Sequence, residues 1–264
     1  MILIVSISLA WACSDQTDPY IKTAETKIKV EKYGEAAQEI EKAISIDPKS
    51  DELWTMLGKV RFLNFELPLA LQILDTAIMF NPNNEIAYYY RGYSKYFSNL
   101  VPDALNDLNK VVGINPENDS AWVLRGNILN DLDSIQNAEK SFRKALEINP
   151  GNVEAFFGLG AIYVGIEDYS KAIEFYNQAV KIKPKSSEAY INLGLCYSEL
   201  SEHTKSLNLY TKALELDPTA AIAYFNRAFA KRELGDNAGA CTDWAKAGEL
   251  GMHNAYEMIN EFCK

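Results

Sequence analysis

The sequence predicts an all-α solenoid of about seven helix-turn-helix repeats closed by a C-terminal capping helix, and three observations predict it. Prolines recur at Pro48, Pro82, Pro116, Pro150, Pro184 and Pro218, each 34 residues after the one before. Glycines recur in the same register at Gly58, Gly92, Gly126, Gly160 and Gly194. A glycine inside a helix costs about 1 kcal/mol against alanine, so five in register imply that a Cβ would clash where two helices meet. Hydrophobic residues make up 48% of the chain, enough for helix pairs that bury one face each by stacking.

The unit is clearest in residues 153–186. An aromatic, Leu-Gly and Tyr (Phe156, Leu159-Gly160, Tyr163) fall on a first helix. Ala172, Tyr176 and Ala179 fall on a second, and Pro184 stops it. This pattern resembles the tetratricopeptide repeat (TPR) over nearly the whole chain. The resemblance implies a right-handed superhelix whose first helices line a concave groove.

At the N-terminus, residues 1–12 form an uncharged apolar run, too short to span a bilayer and suited to a signal-peptide core. It ends in Leu9-Ala10-Trp11-Ala12-Cys13, followed by the polar Ser14-Asp15-Gln16-Thr17-Asp18. This resembles a bacterial lipoprotein signal, and the Ser/Asp segment resembles export signals of Bacteroidetes surface lipoproteins. The resemblance implies a removed signal peptide at 1–12 and a lipidated linker at 13–18 anchored through Cys13. It also implies a membrane-anchored place in the cell envelope, on the periplasmic or surface side of the outer membrane. There are two departures. No Lys or Arg precedes the apolar run, and the leucine lies one place further from the cysteine than usual. A plain secretory signal or a short retained anchor are the alternatives.

The repeats occupy residues 19–251. Repeat one is degenerate on its first helix, with Thr23, Ala24 and Lys27 in place of Leu, Gly and Tyr, as a terminal repeat with one unpacked side should be. Asp18-Pro19 reads as its N-cap and first helical residue. Repeat two carries Trp54, Leu57-Gly58, Ala70 and Ala77; repeat three Tyr88, Gly92 and Ala104; repeat four Trp122, Gly126, Ala138, Phe142 and Ala145. Repeat six carries Tyr190, Leu193-Gly194, Tyr197, Tyr210 and Ala213. Repeat seven carries Tyr224, Ala240, Trp244 and Ala247 without the closing proline. Residues 252–264 place Ala255, Met258, Ile259 and Phe262 at helical spacing and read as the cap.

One pairing emerges from the repeats themselves. The place before the register glycine in repeats two to six, and before Ala228 in repeat seven, holds Leu or Arg, and the residue sixteen later mostly follows that choice. Leu57 goes with Ile73, Leu159 with Phe175 and Leu193 with Leu209, whereas Arg91 goes with Asp107 and Arg227 with Asp243. Two intra-repeat ion pairs are expected, because a semi-buried charge needs a partner. Arg125 breaks the rule, facing Ser141, and is expected to pair across repeats or to meet a ligand carboxylate. Cys241 and Cys263 come side by side if the last repeat helix and the cap run antiparallel around Gly251. They form either a disulfide, in an exported protein, or two buried thiols. Cys196 reads as ordinary packing.

Carrying the groove-facing places of the family onto this chain gives Tyr89, Tyr90, Tyr93 and Tyr96 with Phe97 in repeat three, and Met56, Lys59 and Phe62 in repeat two. It gives Asn127 in repeat four, Phe157 in repeat five, Asn192 in repeat six, and Asn226 and Phe229 in repeat seven. Tyrosine gives large contact area with few rotors. Asparagine can donate to and accept from a peptide backbone at once. The carboxylate clamp of chaperone-binding relatives is not matched, since Thr55, Tyr89 and Val123 stand where its first lysine would.

The net charge of −10 lacks the basic footprint of a nucleic-acid binder. Two histidines and four cysteines without C-x-x-C spacing offer little for metal or cofactor chemistry. No P-loop, nucleophile elbow or H-E-x-x-H occurs. The reading is a non-enzymatic protein-interaction scaffold or adaptor that takes a peptide or helix of a protein client in the groove. The alternatives are a carbohydrate or small-ligand module stacking on the groove tyrosines, and a structural partner acting through the convex face.

Overall fold

The computed structural model describes residues 3–263, with side chains from Gln16 onward, in two compact units, Met1–Leu132 and Asp133–Lys264. The first holds α1 (Leu3–Lys29), α2 (Tyr33–Ile46), α3 (Asp51–Leu63), α4 (Leu67–Phe80), α5 (Glu85–Phe97), α6 (Val101–Ile114) and α7 (Asp119–Asp131). The second holds α8 (Ile135–Ile148), α9 (Val153–Gly165), α10 (Tyr169–Ile182), α11 (Ser187–Glu199), α12 (His203–Leu216), α13 (Ala221–Glu233), α14 (Asn237–Glu249) and α15 (Ala255–Phe262). Within each unit every helix packs on the next in the chain, and first helices of neighbouring repeats also touch. This is the all-α fold class that the periodicity predicts.

In the first unit, capping residues one period apart start the first helices. The side chains of Ser50, Asn84 and Asn118 accept the N–H of Leu53, Ala87 and Ala121, satisfying a donor that the helix leaves without a partner. At the turn into the second helix, Glu31, Phe65 and Asn99 take φ of 58°, 56° and 61°. The N–H of Glu66 and of Leu100 then closes back on the carbonyls of Arg61 and Lys95, at 2.9 and 2.8 Å, as in a Schellman ending. The aromatic and the proline of the pattern are tied together, because Trp54 Nε1 donates to the Pro48 carbonyl (2.9 Å) and Trp122 Nε1 to that of Pro116 (2.8 Å). Asparagines link the repeat starts: Asn81 and Asn84 both donate to Asp51, and Asn115 and Asn118 both donate to Glu85.

The start of repeat one departs from the sequence expectation. Asp18-Pro19 is not a helix start, for α1 carries Pro19 inside it. A proline removes a single N–H from the ladder, and Thr23 Oγ1 donates to the Pro19 carbonyl at 2.8 Å. Thr17 and Ala24 are buried, and Tyr20, Ile21 and Ile28 pack on the core formed with α2 and α3. The side chains of residues 1–15 lie outside the described residues, and with them the signal segment and Cys13. Among the described residues no helix is long and apolar enough to cross a membrane.

The second unit repeats this construction. Asn152 and Ser186 cap α9 and α11, and Glu167, Ser201 and Gly235 carry the positive φ. Gly160 and Gly194 show why the register needs glycine. A Cβ at Gly160 would lie 2.4 Å from the Tyr176 ring, and one at Gly194 would lie 2.6 Å from the Tyr210 ring. The unit ends with α15 on a cluster around the fully buried Trp244. Met258, Ile259 and Phe262 pack there, and Ala255 is buried. Gly251 turns the chain into the cap at φ +97°.

Candidate functional site

In the first unit the structure brings Tyr89, Tyr90, Tyr93 and Tyr96 together along α5, with Phe97 at its end and Phe62 of α3 beside them. Phe62 lies 5.0 Å from Tyr93 and 5.7 Å from Tyr90, ring centre to ring centre. Tyr93 and Phe97 stack nearly parallel at 5.1 Å, as i and i+4 residues on one helix face do. Tyr89 meets Tyr90 and Tyr93 edge-on. The four tyrosines are half-buried, and Tyr89, Tyr93 and Tyr96 pack against the core between α6 and α7. Phe97 is 53% exposed. The patch is therefore part core and part surface.

Two polar groups frame it. On the α7 side the Tyr96 hydroxyl donates to the Asp131 carboxylate. Burial, and then that carboxylate, push the phenol up to about 12. The phenol of Tyr89 is raised by burial, then by Tyr93, Tyr90 and Asp119. On the α3 side the Lys59 ammonium lies over the Tyr90 ring at 5.5 Å. Asn127 is exposed on α7. Such a surface can stack planar or aliphatic groups and donate hydrogen bonds.

The remaining predicted groove residues belong to the second unit. Phe157 on α9 lies 6.0 Å from Tyr176 and packs into the core. Phe229 on α13 meets Phe225 and Trp244 edge-on at 5.1 and 5.2 Å, so much of its ring supports the terminal core. Asn192 on α11 and Asn226 on α13 are half-buried. Asn226 lies near the Tyr210 hydroxyl. That hydroxyl is buried, and neither Asn226 nor Ser206 meets hydrogen-bond geometry with it.

The Arg-Asp pairs are larger assemblies than the sequence pattern suggests. Arg91 donates through Nε (2.8 Å) and Nη2 (2.6 Å) to Asp107, which is 4% exposed, and through Nη1 to Asp75 of the preceding repeat at 2.7 Å. Lys95 adds a second cation to Asp107 at 2.8 Å. Repeat seven copies this arrangement. Arg227 donates twice to Asp243, Lys231 reaches the same carboxylate at 2.8 Å, and Arg227 Nη1 reaches Thr211. Both expected intra-repeat pairs are present, and each arginine also spans to the repeat before it. Lys95 and Lys231 were legible as basic residues four after each arginine, one turn along the same face. Arg125 also reaches back, its Nε donating to Asn109 at 2.8 Å.

Cys241 and Cys263 are joined in a disulfide that ties α14 to the end of α15, with Cα atoms 5.8 Å apart. Cys196 is a buried thiol, pushed up to about 11 by its burial. Among the described residues no group of three His, Cys, Asp or Glu is placed to hold a metal ion.

Comparison with known proteins agrees with this construction. Family models for the tetratricopeptide repeat match residues 18–50, 119–185, 187–220 and 209–242. A search of the curated proteins found no match to the sequence. Among solved structures, a tetratricopeptide repeat protein from Parabacteroides merdae is similar over 95% of this chain and 100% of its own. Its identity is 20% and its TM-score 0.72. A chain of the APC/C hetero-tetramer Cut9-Hcn1 is similar over 93% of this chain and 49% of its own, at 12% identity and TM-score 0.77. YrrB, described as a TPR protein with an unusual peptide-binding site, is similar over 71% of this chain and 96% of its own, at 22% identity and TM-score 0.55. The helix-pair period, the glycine and proline register, the packing of successive helices and the family matches together show that the chain belongs to the tetratricopeptide repeat family.

Proposed function

We propose that this protein is a non-enzymatic scaffold or adaptor of the bacterial cell envelope, anchored through a lipidated Cys13, that holds a peptide or helix of a client protein. Membership of the tetratricopeptide repeat family supports protein binding in general terms. The observation that carries the finer reading is the tyrosine face of α5. Four half-buried tyrosines and a mostly exposed phenylalanine share one surface, and such surfaces are characteristic of protein-binding patches. The peptide-binding site named for YrrB and the assembled state of Cut9-Hcn1 support the same class of role. The Cys241–Cys263 disulfide supports an oxidising compartment, as the lipoprotein-like N-terminus does.

The test is a pull-down from envelope extracts with intact protein beside a Tyr89→Ala/Tyr93→Ala variant. A client captured by the first and lost by the second, with the helical circular dichroism unchanged, supports the reading. Equal capture by both removes the tyrosine face from it. Metabolic labelling with a fatty-acid analogue, lost on Cys13→Ala, tests the anchor; labelling that persists in the variant sinks it.

A further inference from the structure

Several rings along the chain carry one of its own cations. Arg91 lies over Tyr88, Arg125 over Trp122, Lys171 over Tyr163, Lys205 over Tyr197 and Arg227 over Tyr224, at 5.0 to 5.5 Å from the ring centres. Most of the tyrosine face of α5 carries none. Lys59 reaches Tyr90, but among the described residues no lysine or arginine lies over Tyr89, Tyr93, Tyr96 or Phe97. What stands at that end of the face is a carboxylate instead, Asp131, exposed and already turned to the patch by the Tyr96 hydroxyl. The nearest basic side chain on α5, Lys95, is engaged by Asp107.

Ring faces with a carboxylate at their edge and no resident cation attract a cation from outside. The ring quadrupole and the carboxylate act in the same direction, and a partly desolvated site strengthens both. The net charge of −10 adds a long-range field that speeds the arrival of a positive partner. Lys59 opposes a cation at the Tyr90 end, so the receptive end is that of Tyr93, Phe97 and Asp131.

We propose that the client segment received by the tyrosine face is basic, and that it lays an arginine or lysine side chain on Tyr93 and Phe97 beside the Asp131 carboxylate. This rests on the reading of that face as a client site. Arginine suits the place better than lysine, because its planar guanidinium stacks on a ring while donating to a carboxylate.

The experiment uses the full chain and three fluorescent nine-residue peptides of one flexible sequence. Three positions carry arginine in the first, citrulline in the second and glutamate in the third. Citrulline keeps the planar shape and removes the charge. Binding is read by fluorescence anisotropy at two salt concentrations, for the natural protein and for Asp131→Asn and Tyr93→Leu. Asp131→Asn keeps an acceptor for the Tyr96 hydroxyl. The expected result is that the arginine peptide binds at least about ten-fold more tightly than the citrulline peptide, and that the glutamate peptide does not bind. Asp131→Asn should weaken the arginine peptide by about five-fold and flatten its salt dependence, and Tyr93→Leu should weaken it further. Equal binding of arginine and citrulline peptides, lost in Tyr93→Leu, overturns the basic client and leaves the site standing. Arginine-peptide binding indifferent to both substitutions shows attraction to the acidic surface at large and overturns the proposal. Failure of Tyr93→Leu to change the binding of any of the three removes the client site as well.

Discussion

Replacing Asp107 by asparagine is the most informative single perturbation of this fold. The carboxylate is 4% exposed and receives Arg91 Nε at 2.8 Å, Arg91 Nη2 at 2.6 Å and Lys95 Nζ at 2.8 Å. Asparagine keeps the shape and one acceptor but removes the charge, leaving two cations without their buried counter-ion. Removing one member of a buried ion pair costs about 3–5 kcal/mol. Here Asp75 still holds Arg91 at 2.7 Å, and the two cationic side chains are 17% and 19% exposed, which moves the expectation down to about 2–3 kcal/mol. The complementary variant is Arg91→Leu/Asp107→Ile, which copies the apolar pair Leu57/Ile73 of repeat two. It should lie within about 1 kcal/mol of the natural protein, the remaining Lys95 running its stem along the surface to water. Urea unfolding followed by circular dichroism gives the stabilities. Hydrogen exchange shows whether the loss centres on α5 and α6, since repeat stabilities are largely local. A cost of Asp107→Asn below about 0.5 kcal/mol, within the usual range of surface substitutions, would refute the reasoning, and so would a double variant worse than the single one.

The other predictions concern the cap, the glycines, one turn and one thiol. Cys263→Ser should cost on the order of 3 kcal/mol, the chain-entropy value for a loop of 22 residues, with faster hydrogen exchange confined to α14 and α15; uniform destabilisation would contradict a local cap. Gly160→Ala drives a methyl 2.4 Å from the buried Tyr176 ring and should lower stability by about 1–3 kcal/mol. Gly165→Ala meets nothing within 4 Å and should raise it by about 0.5–1 kcal/mol, so thermal melts of the two should move in opposite directions. Phe65→Asn should be stabilising by about 0.5–1 kcal/mol, because Phe65 holds φ +56° with its ring 79% exposed and asparagine tolerates that backbone better; a drop in melting temperature would show that its ring has a role. The Cys196 thiol, pushed up to about 11 by burial, should be alkylated by iodoacetamide about a hundred-fold more slowly at pH 8 than an ordinary thiol, because its reactive thiolate is that much scarcer. The rate should keep rising toward pH 11, and peptide mapping that finds Cys196 rapidly labelled at pH 8 would disprove it.

A 34-residue period is visible in one dimension because each repeat needs the same few things. Pro48 and its successors stop second helices, Gly160 and its equivalents admit a side chain from the facing helix (a ring at Gly160 and Gly194, Leu74 at Gly58), and the alternation of apolar and Arg-Asp pairs sixteen apart reports which side chains face each other. These are local demands, satisfied within one or two hairpins, so they leave a periodic trace. Fold class, the helix-pair period, the Arg91–Asp107 and Arg227–Asp243 contacts and the approach of Cys241 to Cys263 were legible for that reason. The exact start of repeat one was not, because a helix can carry a proline such as Pro19 at the loss of one bond.

What the tertiary structure decided was where side chains with several available neighbours go. The reach of Arg91 back to Asp75, and of Arg125 to Asn109, depends on how one hairpin is set against the preceding one, and no single repeat contains that information. The same holds for the tyrosines of α5. Their identity and spacing are written in the chain, but only packing against α3 and α7 divides each ring between core and surface and sets Asp131 against Tyr96. Residues that serve one helix pair can be read from order alone. Residues that serve two pairs at once are settled by the geometry of stacking, and the candidate site is made of the second kind.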